Sequence, residues 1–196
     1  MTRQGAAPAP DRQRVFFALW PEARVADALH ASARRIHART GGRLMRRDSL
    51  HLTLAFLGEQ TAERVGVLQN LAASVQGEVF ELDLSRAGAW QRGRIVWGGP
   101  EVMPPALAAL AERLADALRA QGFEVERRPF AAHVTLVRNG LQPPPHDIEP
   151  VVHWHVGDFA LMRSNPGAEA ARYEVIGRWP LSPPAVKALS EGETAG

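Results

Sequence analysis

The chain has 196 residues, 45% hydrophobic and 22% charged, with a net charge of +2. That is enough apolar residue for a packed core and too little net charge for a disordered polyelectrolyte. It holds no cysteine, which excludes disulfides, thiolate catalysis and cysteine-based zinc sites and fits a reducing cytoplasm.

Residues 1–13 lack the apolar stretch of a secretory signal and read as a disordered leader. The folded part is expected to be one bilobal domain over 14–181, with 182–196 a flexible tail rich in Pro, Ser, Glu and Gly. An apolar strand from Val15 to Trp20 is halted by Pro21. Pro21-Glu22 suits a helix start, since Pro lacks the orphan N–H and Glu favours the positive end. That helix reaches about Arg39, with Val25, Leu29, Ala33 and Ile36 on one face and Gly41-Gly42 as its stop. A strand from His51 to Leu57 precedes a second helix, about Thr61 to Val75, striped by Val65, Leu68, Leu71 and Val75.

The order then repeats. A strand over Arg94 to Trp97 leads to a second Pro-Glu pair, Pro100-Glu101. A third helix, about Met103 to Gln121, carries Leu107, Leu110, Leu114 and Leu118 and stops at Gly122. A short strand near Glu124 to Glu126 comes before a strand from His133 to Val137. Gly140 to Pro150 reads as a loop, and strands over Val152 to Met162 and Arg172 to Trp179 complete the sheets. The Pro-Glu pairs are 79 residues apart and the strand-leading histidines 82, which suggests an internal duplication of two α+β lobes. No apolar run approaches the ~20 residues of a membrane helix.

The repeated tetrapeptide carries the chemistry: His51-Leu52-Thr53-Leu54 and His133-Val134-Thr135-Leu136. Side chains alternate along a strand, so each histidine shares a face with its threonine, roughly 6.6 Å further on, while the apolar residues point to the core. Opening a cyclic phosphodiester needs one group to deprotonate the attacking water and another to protonate the departing alkoxide. Two histidines near an unperturbed pKa of ~6.5 can do both at neutral pH. The threonine hydroxyls can donate to non-bridging oxygens as charge develops. No metal or cofactor is needed. One His-x-Thr on a strand would be an ordinary hydrogen-bonded pair; two in matching contexts mark a site.

The sequence resembles the two-histidine phosphoesterase superfamily, and within it the RNA 2′,3′-cyclic phosphodiesterases, also called 2′-5′ RNA ligases. Besides the tetrapeptides, RVFFALWPE (14–22), LHLTLAFLGE (50–59), RIVWGG (94–99), ERRPFAAHVTLVR (126–138), and the stretch from Phe159 through ARYEVIGRWPL (171–181) carry the likeness. The resemblance implies an α+β bilobal fold, two antiparallel sheets facing a central cleft with helices outside and a pseudo-twofold between the halves. It implies His51 as proton donor to the leaving ribose 3′-oxygen, His133 as proton acceptor from water, and a 2′-phosphomonoester as product. Where the family often has proline or histidine before the second motif, this chain has Ala131-Ala132.

The resemblance makes Arg138 a phosphate ligand beside Thr53 and Thr135. Strand parity opposes this, because Arg138 is five residues from His133 and should face away unless a twist or strand end turns it in. Phe17, Arg128 and Phe130 are further candidates for substrate contact, although Phe130 also reads as core. Phe16 and Phe17 lie on opposite faces, so one can stack on a base while the other fills the core. His153 and His155 share a strand face but lack a third ligand for a metal. The expected partner is RNA ending in a 2′,3′-cyclic phosphate or a cyclic nucleotide, handled by a cytoplasmic monomer without membrane contact. Three alternatives stay open: a module that binds RNA 2′-phosphate or cyclic-phosphate ends without turnover, a phosphodiesterase for another cyclic nucleotide, and a metal hydrolase built on the histidines, which EDTA would inactivate.

Overall fold

A computed structural model describes residues 12–91, 94–165 and 172–183. Most of the proposed leader and tail lies outside these residues. Two edges of those regions do not: the first strand, β1 (Arg12–Leu19), begins inside the leader, and Ser182 bridges to Glu78.

The helices follow the apolar stripes. Helix α1 (Ala23–Thr40) buries Val25, Leu29, Ala33 and Ile36 and ends at Gly41, whose φ of 62° a residue with a Cβ rarely adopts. Helix α2 (Ala62–Ser74) is capped by Thr61, whose Oγ1 accepts from the Arg64 amide at 3.3 Å. Helix α3 (Pro105–Ala120) fully buries Leu107, Leu110, Leu114 and Leu118.

The remaining strands are β2 (Arg43–Leu44), β3 (Leu52–Thr61), β4 (Phe80–Trp90), β5 (Ile95–Gly99), β6 (Val134–Arg138), β7 (Asp147–Val156), β8 (Asp158–Asn165) and β9 (Arg172–Pro180). Three sequence expectations change. No strand forms over 124–126. The strand expected from Val152 to Met162 is two strands, and the first enters the expected loop, taking in Pro150. Pro150 fits there because β7 is an edge strand, where a missing N–H costs no ladder bond. β4 was not anticipated, although FELDL alternates buried Phe80, Leu82 and Leu84 with exposed Glu81 and Asp83.

The strand order is β7-β4-β5-β6-β3-β1-β8-β9, with β2 pairing β6 off this path, opposite β5. All these pairings are antiparallel. The order is a mirror: β6-β5-β4-β7 on one side and β3-β1-β8-β9 on the other, with the motif strands β6 and β3 innermost. The two expected sheets are thus joined as one, through the single pair Leu52↔Val134. The helices cross over: α1 from the first half packs on β6 and β7, whereas α3 from the second half packs on β3. One continuous apolar core runs through both halves.

Candidate active site

His51 and His133 each sit one residue before an inner strand begins, directly beside the pair that joins the sheets. Both rings are tethered identically. His51 Nδ1 lies 2.7 Å from the Ser49 carbonyl oxygen and His133 Nδ1 2.9 Å from that of Ala131, in each case two residues back. A carbonyl only accepts, so Nδ1 carries the proton in both rings and Nε2 is the nitrogen left to exchange one. Thr53 and Thr135 are half-buried on the same face as their histidines, while Leu52, Leu54, Val134 and Leu136 point into the core.

Arg138 joins this face, and the register shows how. Between Val96↔Val137 and Trp97↔Thr135 the pairing slips by one, so Leu136 is an extra residue in β6. A bulge of this kind reverses alternation. Leu136 and Val137 are both buried, and Arg138 returns half-exposed to the side of His133 and Thr135. β3 carries the same device: between Phe17↔Ala55 and Ala18↔Thr53 Leu54 is extra, which turns Phe56 onto the face of His51 and Thr53. Phe56 is 50% exposed, with the Arg14 guanidinium 4.9 Å from its ring centre. The equivalent fifth residue after each histidine is thus an arginine in one half and a phenylalanine in the other.

Burial pushes the His51 imidazole from 6.5 to about 4; the nearby charges of His133 and Arg138 push the same way, and the Ser49 carbonyl opposes them. Burial also lowers His133, against the pull of the Ala131 carbonyl. Arg138 is therefore close enough to be felt at His51, as expected for antiparallel inner strands.

Phe17 is a correction. Its side chain is fully buried against Phe159 and Trp179, on the core face of β1, and cannot meet a ligand. Phe16, on the other face, touches His51 with ring centres 4.9 Å apart. Arg128 is 82% exposed and ion-paired with Glu126 at 2.7 Å, and Phe130 is half-buried against the main core. Sequence reasoning missed the aromatic surround: Trp20 and Tyr173 beside His51, Trp90 beside His133. Parity gave the available signal, because Phe16, Ala18 and Trp20 share one face of β1. His153 and His155 are each paired across β4 and β7, with Asp83 at 2.7 Å and Glu81 at 2.6 Å. Among the described residues, no group of three or more His, Asp or Glu side chains is placed to hold a metal ion, and no helix is long and apolar enough to cross a membrane.

The model of the family described as LigT like Phosphoesterase matches residues 19–97 and 99–168. The chain belongs to this family. It is 35% identical over 182 residues to an RNA 2′,3′-cyclic phosphodiesterase of Escherichia coli (strain K12), covering 87% of this chain and 97% of the relative. A second relative of that name, from Thermus thermophilus, is 30% identical and covers 86% and 90%. The crystal structure of E. coli LigT complexed with 3′-AMP superposes with a TM-score of 0.77 at 34% identity, over 87% of this chain and 99% of that one. The fold is accordingly that of the two-histidine phosphoesterases, and both motif strands lie within the matched residues.

Proposed function

We propose that the protein is an enzyme that hydrolyses RNA 2′,3′-cyclic phosphate ends to 2′-phosphomonoesters without a metal ion. The observation that carries this reading is the pair of identically tethered imidazoles, each presenting Nε2 at the junction of the inner strands. His133 Nε2 takes a proton from water as the water oxygen bonds to phosphorus. The P–O3′ bond breaks, and His51 Nε2–H gives its proton to O3′. Thr53, Thr135 and Arg138 hold the non-bridging oxygens, whose charge grows in the transition state. The chain's relatives of E. coli and T. thermophilus bear the name of this activity, and E. coli LigT has been solved with phosphate and with 3′-AMP. The reverse step, 2′-5′ joining of RNA ends, uses the same atoms and is disfavoured in water. The reading carries with it a monomer acting in the cytoplasm.

The test is incubation of the full chain with an oligonucleotide ending in a 2′,3′-cyclic phosphate, in EDTA, with identification of the phosphomonoester formed. A 2′-phosphate is expected, and His51→Ala and His133→Ala should each lose roughly 10²-fold or more in kcat. Full activity in both variants sinks the mechanism. Loss of turnover in EDTA points to a metal hydrolase. Tight binding with no product in the wild type points to an end-binding module, and turnover confined to other cyclic nucleotides moves the substrate class.

A further inference from the structure

The two imidazoles share tether and face but not their ring neighbours. Trp20 stacks on His51 nearly parallel, at 10° with centres 5.3 Å apart. Tyr173 meets the same imidazole at 69° and 5.2 Å, and Phe16 at 34° and 4.9 Å. Trp90 meets His133 at 77° and 4.4 Å, and no stacked ring accompanies it among the described residues. Trp20 is itself held in place. It is the last residue before Pro21, alternation puts it on the face of Phe16 and Ala18, and Tyr173 contacts it at 67° and 5.8 Å.

We propose that Trp20 is a positioning residue for His51: its indole face fixes the plane of the imidazole and supports the protonated ring that the donor role given to His51 above requires. This rests on the hydrolytic reading above. The Nδ1 tether holds one ring atom, which leaves the ring free to rock about that bond; a stacked indole removes the rocking. The charged groups acting on His51, His133 of β6's approach and Arg138 at its end, both oppose a positive charge there, as does burial. Only the Ser49 carbonyl favours it among these neighbours. A ring so placed needs a further stabiliser to serve as an acid, and the electron-rich face of an indole within ~6 Å supplies one. His133, which has to stay neutral to act as a base, has no such stacked partner.

The test uses the full chain as wild type, Trp20→Leu, Trp20→Met and Trp20→Phe. Turnover of the cyclic-phosphate oligonucleotide is followed across pH, and the Cε1–H resonances of His51 and His133 are titrated by NMR. Both non-aromatic variants should lose roughly tenfold in kcat with KM changed less than about twofold. The His51 midpoint should move to lower pH while that of His133 stays, and W20F should recover most of both. The inference is overturned if kcat and the His51 midpoint are unchanged in the non-aromatic variants. It is also overturned if KM rises with kcat intact, which would make Trp20 a substrate contact, or if W20F is as impaired as W20M. W20M serves if leucine unfolds the chain. The titration needs no substrate, so a wild type that fails to cleave RNA ends sinks the hydrolytic reading and still leaves Trp20's effect on His51 measurable.

Discussion

At the scale of single residues, the two histidines set the pH behaviour. The mechanism proposed above needs His51 protonated and His133 neutral, and such a pair titrates in two macroscopic steps. Both rings lie below 6.5 in the protein alone, His51 at about 4. The pH profile of kcat/KM, which reports the free protein, should therefore peak on the acid side of 6.5. A phosphodiester anion beside the rings favours their charged forms, so the optimum of kcat should lie at higher pH. A kcat/KM optimum above about pH 7.5, with chemistry limiting, would contradict this assignment. The same shift has a stability consequence. The folded pKa of His51 is depressed, so between about 4 and 6.5 the unfolded chain binds more protons, and stability is lost as pH falls through that window. For one ring enclosed by aromatics this amounts to up to about 3 kcal/mol. Denaturant midpoints at pH 4.5 and 7 should show the loss, and His51→Phe should shrink it.

At the scale of elements, the inner strands aim the site through their bulges, and β2 braces one of them. Arg43 pairs with Arg138, and Gly42 stands at φ 89° against the turn out of β6. A Cβ at Gly42 would lie 2.6 Å from the Arg138 carbonyl oxygen and 2.7 Å from that of Asn139, both backbone atoms with no easy retreat. Gly42→Ala should cost about 1–3 kcal/mol of stability. It should also reduce kcat/KM roughly tenfold by displacing Arg138, read from steady-state kinetics beside a far-UV spectrum that stays native-like. Gly66→Ala in α2 is the control: a Cβ there meets nothing within 4 Å, so activity should hold and stability rise by about 0.5–1 kcal/mol. These bulges also mark the limit of what the sequence discloses. Helices α1 to α3 were legible because their apolar stripes and glycine stops are local, and His51 and His133 because each motif repeats. The extra residues at Leu54 and Leu136 are set by register against β1 and β5, which no local pattern records. For that reason strict alternation pointed Arg138 the wrong way, and it gave no reason to look at Phe56. Phe17 was misassigned because alternation says that Phe16 and Phe17 differ in face but not which face is the core.

At the scale of the molecule, the crossed helices should make the two halves unfold as one cooperative unit. α1 leaves β1 of the first half and covers β6 and β7 of the second, while α3 leaves β5 and reaches β3. β6 is packed by α1 of the other half and β3 by α2 of its own half together with α3 of the other, and the main cluster of buried residues runs across the junction. A weak seam of one residue pair between the sheets is therefore compatible with a rigid site, because the helices beneath hold the two histidine strands together. Leu29 tests this, since it lies fully buried on α1, a first-half residue beneath second-half strands. Leu29→Ala should cost about 2–5 kcal/mol. If the halves are one unit, denaturant unfolding stays a single transition in wild type and variant. Far-UV ellipticity, reporting all elements, and tryptophan fluorescence, reporting Trp20 and Trp179 in one half and Trp90, Trp97 and Trp154 in the other, should then coincide. Two separated transitions, with only the second-half signal moved by L29A, would mean that the lobes fold independently and that the crossing of α1 and α3 adds nothing to the site's alignment.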